Sequence, residues 1–189
     1  MPRLRNSTGI LLAALMFLIS TTGCGQLADS IEAQVALDQG FDHAIDGDFD
    51  KALVEFERAI ELDPELAAAY DARGTIWLER EELDGAMQDY NRAIELDPEM
   101  GLYYADRGLV YTRMGETDKA IGDYEKAIEL SEEDPIAALA HLNLGEIYVF
   151  VGPEELAVEH LQEALQIGLD AQLESHATGL LEALGEAPQ

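Results

Sequence analysis

The peptide KALVEFERAIELDP at residues 51–64 recurs as GAMQDYNRAIELDP at 85–98 and again as KAIGDYEKAIEL at 119–130. Successive copies begin 34 residues apart. After the third copy the chain reads SEEDP, so that Pro135 comes three residues late. With that insertion allowed, LAVEHLQEALQI at 156–167 falls into the same register. A fixed period of this length predicts a stack of repeated units, each too small to fold alone.

Each copy also has the apolar pattern of one helix face. The apolar positions run i, i+1, i+4, i+7 and i+8, as in Ala86, Met87, Tyr90, Ala93 and Ile94. They form a single stripe on a helix with 3.6 residues per turn. Such a stripe is too narrow to be a domain core, so we expect each helix to be buried against its neighbours.

Five positions of the repeat hold the same kind of residue in all four copies. They are a glycine (Gly40, Gly74, Gly108, Gly145), a ring (His43, Trp77, Tyr111, Tyr148), an alanine (Ala52, Ala86, Ala120, Ala157), a bulky residue (Phe56, Tyr90, Tyr124, Leu161) and a second alanine (Ala59, Ala93, Ala127, Ala164). The prolines Pro64, Pro98 and Pro135 separate one copy from the next. This pattern resembles the tetratricopeptide repeat. The resemblance implies an all-α fold, a right-handed solenoid of four helix pairs with structural roles for these glycines, alanines and prolines.

The register divides the chain into segments. Repeats are predicted at 33–66, 67–100, 101–137 and 138–169, preceded by a short tether at 24–32 and followed by a capping helix and tail at 170–189. The predicted helices cover 30–46, 50–62, 67–80, 84–96, 101–114, 118–130, 136–150, 154–167 and 171–184, with no strands. The last helix follows Asp170, a good N-cap, and its Gly179 lies 34 residues after Gly145. We interpret it as the first helix of a truncated fifth repeat, of the kind that solenoids need for solubility.

Composition and charge limit the function. The 189 residues are 48% hydrophobic and 26% charged, which is a globular composition. Aspartate and glutamate number 39 against 11 lysines and arginines, giving a net charge of −28. A surface of this charge repels phosphate backbones and anionic lipid headgroups, so binding of nucleic acid is not expected.

Residues 1–23 have the layout of a secretory signal. Arg3 and Arg5 precede the apolar stretch GILLAALMFLI at 9–19, which is followed by small polar residues. As a helix this stretch would be about 16 Å long, roughly half of a hydrocarbon core, so a permanent transmembrane helix is disfavoured.

Cys24, the one cysteine, directly follows this segment. The sequence TTGC resembles the lipobox of bacterial lipoproteins, although Thr21 stands where that family has an aliphatic residue. The resemblance implies that Cys24 is lipidated and anchors the chain at the bacterial envelope, on the periplasmic side of the outer or inner membrane. Gly25 in place of an acidic residue favours the outer membrane. Cleavage as an ordinary signal peptide, giving a secreted protein without lipid, is the alternative.

Two repeats carry a matched pair of opposite charges. Arg73 and Arg107 directly precede repeat glycines, and Asp89 and Asp123 each follow 16 residues later. We predict structural ion pairs between antiparallel helices, with a ligand-binding role for the arginines as the alternative.

The resemblance also implies a groove lined by the first helix of each repeat, which holds an extended peptide or a partner helix. Carried over by register, the lining residues are Gln34, Leu37, Phe41, Asp71, Thr75, Leu78, Leu102, Leu109, Thr112, Leu142, Glu146 and Val149. This surface is mostly apolar and lacks the lysine and asparagine with which chaperone-binding relatives hold acidic peptide tails. We therefore expect an apolar or mildly basic partner segment. In the alternative interpretation, the terminal helices of the solenoid cover part of this surface.

No pattern in the chain predicts catalysis, a cofactor or a metal. The DGDFD peptide at 46–50 resembles the start of a calcium loop, but Lys51 occupies the sixth position, where such a loop needs glycine. The four histidines lack the spacing of metal ligands. We therefore expect a non-enzymatic scaffold for protein interactions. A self-associating spacer, as a homo-oligomer, is the alternative.

Overall fold

The computed structural model describes residues 27–131 and 134–186; the signal segment and Cys24 lie outside the described residues. The helices are α1 at residues 27–45, α2 at Phe49–Leu62, α3 at Ala67–Glu79, α4 at Leu83–Leu96, α5 at Gly101–Met114, α6 at Thr117–Ser131, α7 at Pro135–Val151, α8 at Glu154–Ile167 and α9 at Ala171–Ala183. The described residues thus form nine helices and no strand, which confirms the predicted all-α class. Helix α1 begins by residue 27, ahead of the predicted start, and the other ends agree within one residue.

The chain divides into two compact units, Met1–Leu66 and Ala67–Gln189. In the first unit, the buried Phe56 of α2 lies against Gly40 of α1. Its ring meets the edge of Phe41, with ring centroids 5.5 Å apart at an angle of 68°. Ser30 also donates a hydrogen bond of 3.3 Å to Asp63 beyond the end of α2. The first repeat is therefore a helix hairpin in which the Phe56 ring packs α2 against α1.

The second unit contains the three helix pairs α3–α4, α5–α6 and α7–α8, together with α9. Its buried residues form clusters that cross from one pair to the next. In one of them, Tyr124 of α6 is packed with Leu144 and Ile147 of α7. In another, Val110 of α5 is packed with Leu78 of α3 and Tyr90 of α4. The core of this unit is thus shared between neighbouring repeats, as the narrow apolar stripes require.

In each helix pair, a glycine of the first helix lies directly against a bulky side chain of the second helix. A Cβ atom added to Gly108 of α5 would lie 2.9 Å from the ring of Tyr124, and one added to Gly145 of α7 would lie 2.7 Å from Leu161. Real Cβ atoms do not approach other carbons this closely. The glycines therefore let the second helix lie directly against the backbone of the first.

In the first three repeats, the turn between the two helices has a residue in the left-handed region. Gly47 and Gly115 hold this position with φ angles of 79° and 75°. In the α3–α4 turn the same register position is Glu81, whose φ is 60°. A side chain with a Cβ atom is unfavourable there, so this turn is strained relative to the other two.

Helix α9 is the last helix of the described residues. The Asp170 carboxylate caps it by accepting hydrogen bonds of 2.9 and 3.0 Å from the backbone N–H groups of Gln172 and Leu173. Gly179 holds the repeat-glycine position, but a Cβ atom added to it would meet nothing within 4 Å. The register positions of Tyr104 and Tyr111 are here the exposed Ser175 and Glu182. At these two register positions α9 is therefore polar and exposed, and its role as a capping helix stays a prediction.

No helix in the described part of the chain is both long and apolar enough to cross a membrane.

Gly108→Ala and Gly122→Ala make a matched pair for testing the close approach. A methyl group at Gly108 meets the Tyr124 ring, whereas one at Gly122 of α6 meets nothing within 4 Å. We expect Gly108→Ala to lower the free energy of unfolding by about 1–3 kcal/mol. We expect Gly122→Ala to raise it by about 0.5–1 kcal/mol through helix propensity. Urea unfolding followed by circular dichroism measures both, and a neutral or stabilising Gly108→Ala would contradict the packing argument.

Candidate functional site

The two arginines selected from the sequence form ion pairs between the helices of a repeat. Arg73 of α3 donates hydrogen bonds of 2.8 and 2.7 Å to the two carboxylate oxygens of Asp89 on α4. Arg107 of α5 does the same to Asp123 on α6, at 2.7 and 2.8 Å. Both aspartates are buried. Paired charges that are buried in this way hold the helices in register.

Arg107 also reaches the preceding repeat. Its Nη1 donates a hydrogen bond of 2.7 Å to Asn91 on α4. The rings of Tyr104 and Tyr111 lie near the guanidinium, with centroids at 5.6 and 5.8 Å. The hydrogen bond to Asp123 raises the pKa of Arg107. Its donors are thus engaged within the fold, which favours the structural role over a ligand-binding one.

Three of the twelve groove residues are buried. Leu37, Leu78 and Leu142 have exposed fractions of 3%, 4% and 2%. Leu142 belongs to the cluster that includes Leu161 of α8 and Leu181 of α9. These leucines serve the packing of the solenoid and offer almost no surface to a partner.

Helix α9 also contacts two further groove residues of the fourth repeat. Val149 packs against the same cluster as Leu142. Glu146 Oε1 lies 2.7 Å from His176 Nε2 of α9. In the fourth repeat, α9 therefore covers part of the predicted groove, as the alternative interpretation expects.

The remaining seven residues stay at the surface. Gln34 and Phe41 of α1 are exposed in the first unit. In the second unit Thr75 of α3 and Thr112 of α5 are exposed, whereas Asp71, Leu102 and Leu109 are half-buried. Thr75 and Thr112 lie within hydrogen-bonding distance of the hydroxyls of Tyr90 and Tyr124, at 3.2 and 3.3 Å. We call the five residues Asp71, Thr75, Leu102, Leu109 and Thr112 the open groove of the second unit.

A pair of carboxyl groups lies at this open groove. Asp71 of α3 and Asp106 of α5 lie close enough that each carboxyl group influences the protonation of the other. The Oδ1 atom of Asp71 is buried and has no hydrogen-bond partner among the described residues. Burial and the neighbouring Asp106 charge raise the pKa of Asp71 to about 8. Burial raises the pKa of Asp106 to about 6. Near neutral pH the pair therefore shares a proton and carries about one negative charge.

Sequence reasoning missed Asp106 and Asn91. Asp106 lies at the sixth position of its repeat and Asp71 at the fifth position of the preceding one. Recognising the pair required knowing that these positions of neighbouring first helices face each other. Asn91 aligns with Glu57, Glu125 and Gln162, so periodicity gave no signal for its contact with Arg107.

The described residues contain no group of three or more histidine, cysteine, aspartate or glutamate side chains arranged to hold a metal ion.

Comparisons with known proteins agree with this architecture. Tetratricopeptide repeat models match residues 44–66, 74–115 and 100–170. The chain in the crystal structure of MamA has 30% sequence identity to this one and a TM-score of 0.64. The match covers 71% of this chain and 77% of that chain. The second TPR of Spaghetti (RPAP3), bound to the HSP90 peptide SRMEEVD, is 26% identical, with a TM-score of 0.54 over 56% of this chain and 96% of that one. A search of curated proteins finds no match.

Asp71→Asn tests the carboxyl pair. Because the folded state raises the pKa of Asp71 to about 8, the protonated pair stabilises the fold at low pH, and this stabilisation is lost as the pH rises through that value. We expect Asp71→Asn to raise the free energy of unfolding by about 1–2 kcal/mol near pH 8.5 and by less near pH 5. Urea unfolding at the two pH values measures this. Glu79→Gln, at an exposed site on the same helix, is the matched control. Equal stabilities of Asp71→Asn and wild type near pH 8.5 would contradict the expectation.

Proposed function

We propose that this chain, which belongs to the tetratricopeptide repeat family, is a non-enzymatic adaptor that binds an apolar and mildly basic partner segment in the open groove of its second unit. The observation that carries this proposal is the buried Oδ1 atom of Asp71, which has no hydrogen-bond partner among the described residues, in a groove that also contains the half-buried Leu102 and Leu109. A lysine or arginine of a partner would complete the hydrogen bonding of the pair. The arrangement suits recognition through one cation and neighbouring apolar contacts.

Charge separates this groove from that of a structural neighbour. The second TPR of Spaghetti (RPAP3) is bound to the HSP90 peptide SRMEEVD, whose C-terminal part is acidic. Here the groove offers Asp71 and Asp106, on a chain whose net charge is −28. An acidic tail would be repelled by both the local pair and the overall field. A basic segment is attracted by both.

The apolar part of the contact comes from α5. Leu102 and Leu109 are half-buried, and Leu109 rests on the cluster that contains Leu78 and Val110. Side chains held in place by a core beneath them lose little freedom when a partner covers them. Thr75 of α3 and Thr112 of α5 are exposed residues of the same groove. Together these residues offer anchoring area next to the acidic pair.

We further propose that Cys24 carries the lipid that anchors the adaptor at the bacterial envelope. The motif TTGC supports this, and so does the short distance in sequence from Cys24 to the helix described from residue 27. Stable anchoring of the array near a membrane surface would hold its partner there. A secreted form without lipid is the alternative.

Leu102→Glu combined with Leu109→Glu tests the groove. Two carboxylates in the apolar part of the contact should abolish recovery of a partner in an affinity pull-down from detergent-solubilised native membranes. Phe150→Glu with Val151→Glu is the matched control, because it adds the same charge at residues that are 83% and 65% exposed outside the groove. Circular dichroism first establishes that both variants are folded. Equal recovery by wild type and the groove variant would contradict the proposed site.

Self-association is a second candidate, favoured by the exposure of Phe150 and Val151 at the end of α7. The same pull-down separates it from the adaptor function. Recovery of the chain itself, lost in the Phe150→Glu, Val151→Glu variant and retained in the groove variant, would establish the spacer function in place of the adaptor.

Cys24→Ala tests the anchor independently of the groove. Without the thiol that accepts the lipid, we expect the protein to leave the membrane fraction and to fail to incorporate labelled fatty acid. Thr21→Leu, which restores the aliphatic residue of the lipobox, should retain both properties. Membrane association that is unchanged in Cys24→Ala would contradict lipid anchoring.

A further inference from the structure

The fourth repeat lacks the ion pair of the second and third. At the register positions of Arg107 and Asp123 it has Leu144 and His160. The position of Tyr104 is taken by His141, whereas the ring of Tyr111 is retained as Tyr148. The contact between the two helices of this repeat is therefore made by different chemistry at the same place.

The replacement is a direct contact between two imidazoles. His141 Nδ1 of α7 lies 2.9 Å from His160 Nδ1 of α8, which is hydrogen-bonding distance. The ring of Tyr148 is stacked on His160, with centroids 5.5 Å apart and an interplanar angle of 6°. One imidazole must donate a proton and the other must accept it with a free lone pair. The contact therefore exists only while at least one of the two rings is neutral.

The surroundings of the pair set the direction of its titration. Burial lowers the pKa of both histidines, and the charge of His160 lowers that of His141 further. The charged groups that face the pair are Glu159 and Glu163 of α8 and Glu125 of α6, which act in the opposite sense and more weakly. A histidine whose folded pKa is depressed stabilises the fold above its unfolded pKa of about 6.5 and loses that contribution as the pH falls through the folded value.

We propose that the His141–His160 pair makes the fourth repeat an acid-sensitive segment of the array. Protonation of both rings replaces the hydrogen bond by repulsion of like charges across the α7–α8 contact. Helix α9 is loosened together with α7 and α8, because its Leu181 is buried in one cluster with Leu142 and Leu161. The α3–α4 and α5–α6 pairs are held instead by Arg–Asp ion pairs, which contain no histidine. The array therefore loosens from its C-terminal end.

Hydrogen exchange of the intact protein tests this. Between about pH 7.5 and pH 5, protection factors corrected for the intrinsic exchange rate should fall about tenfold in α7 and α8 relative to α3 and α4. Comparison within one chain removes the general effect of acid on a protein of net charge −28. A uniform change along all helices would overturn the proposal.

Variants separate the pair from other histidines. In His141→Tyr with His160→Gln the acid-dependent loss of protection in α7 and α8 should disappear. His43→Gln, which removes a histidine of α1 in the first unit, is the control and should retain the loss. NMR titration of wild type supplies a readout that does not depend on folding of a variant. The pKa values of both rings should lie below the usual histidine value of about 6.5, and titration of His141 and His160 at or above that value would overturn the proposal.

Discussion

The close contact of a glycine with the ring or side chain of the next helix is the constraint on which the structure depends. Gly108 under Tyr124 and Gly145 under Leu161 bring two helix backbones so close that a Cβ atom at either glycine would lie less than 3.0 Å from the facing side chain. Each contact leaves the other face of the bulky side chain free to pack against a neighbouring repeat. The same contact thus forms the hairpin and, through clusters such as that of Tyr124 with Leu144, joins it to the next one.

With the backbone fixed by packing, charged groups can differ from repeat to repeat. The contact between first and second helices uses Arg107 and Asp123 in the third repeat but His141 and His160 in the fourth. The contact between neighbouring first helices places Asp71 against Asp106. One scaffold therefore carries a permanent ion pair, a contact that depends on pH and a partly neutralised acid pair. We infer that the last of these gives the groove its preference for a cation.

The sequence predicts the fold well because every helix pair repeats the same spacing of glycine, ring and alanine. Helix ends were located within a residue for eight helices. The groove was harder to predict. Leu78 shares its register position with the exposed Thr112 but is buried by contacts between repeats, which periodicity does not report. Asp106 has an aspartate in register only at Asp38, two repeats earlier, so only the packed helices reveal that it lies near Asp71.

The central claim is that the open groove of the second unit recognises a partner. Site-specific photo-crosslinking in the native membrane tests it most directly, with a photoreactive amino acid at Thr75 of α3 or at Gln88 of α4, both of which are exposed. The account predicts a crosslinked partner from Thr75 and none from Gln88. Crosslinks from Gln88 alone, or equal crosslinks from both positions, would contradict it.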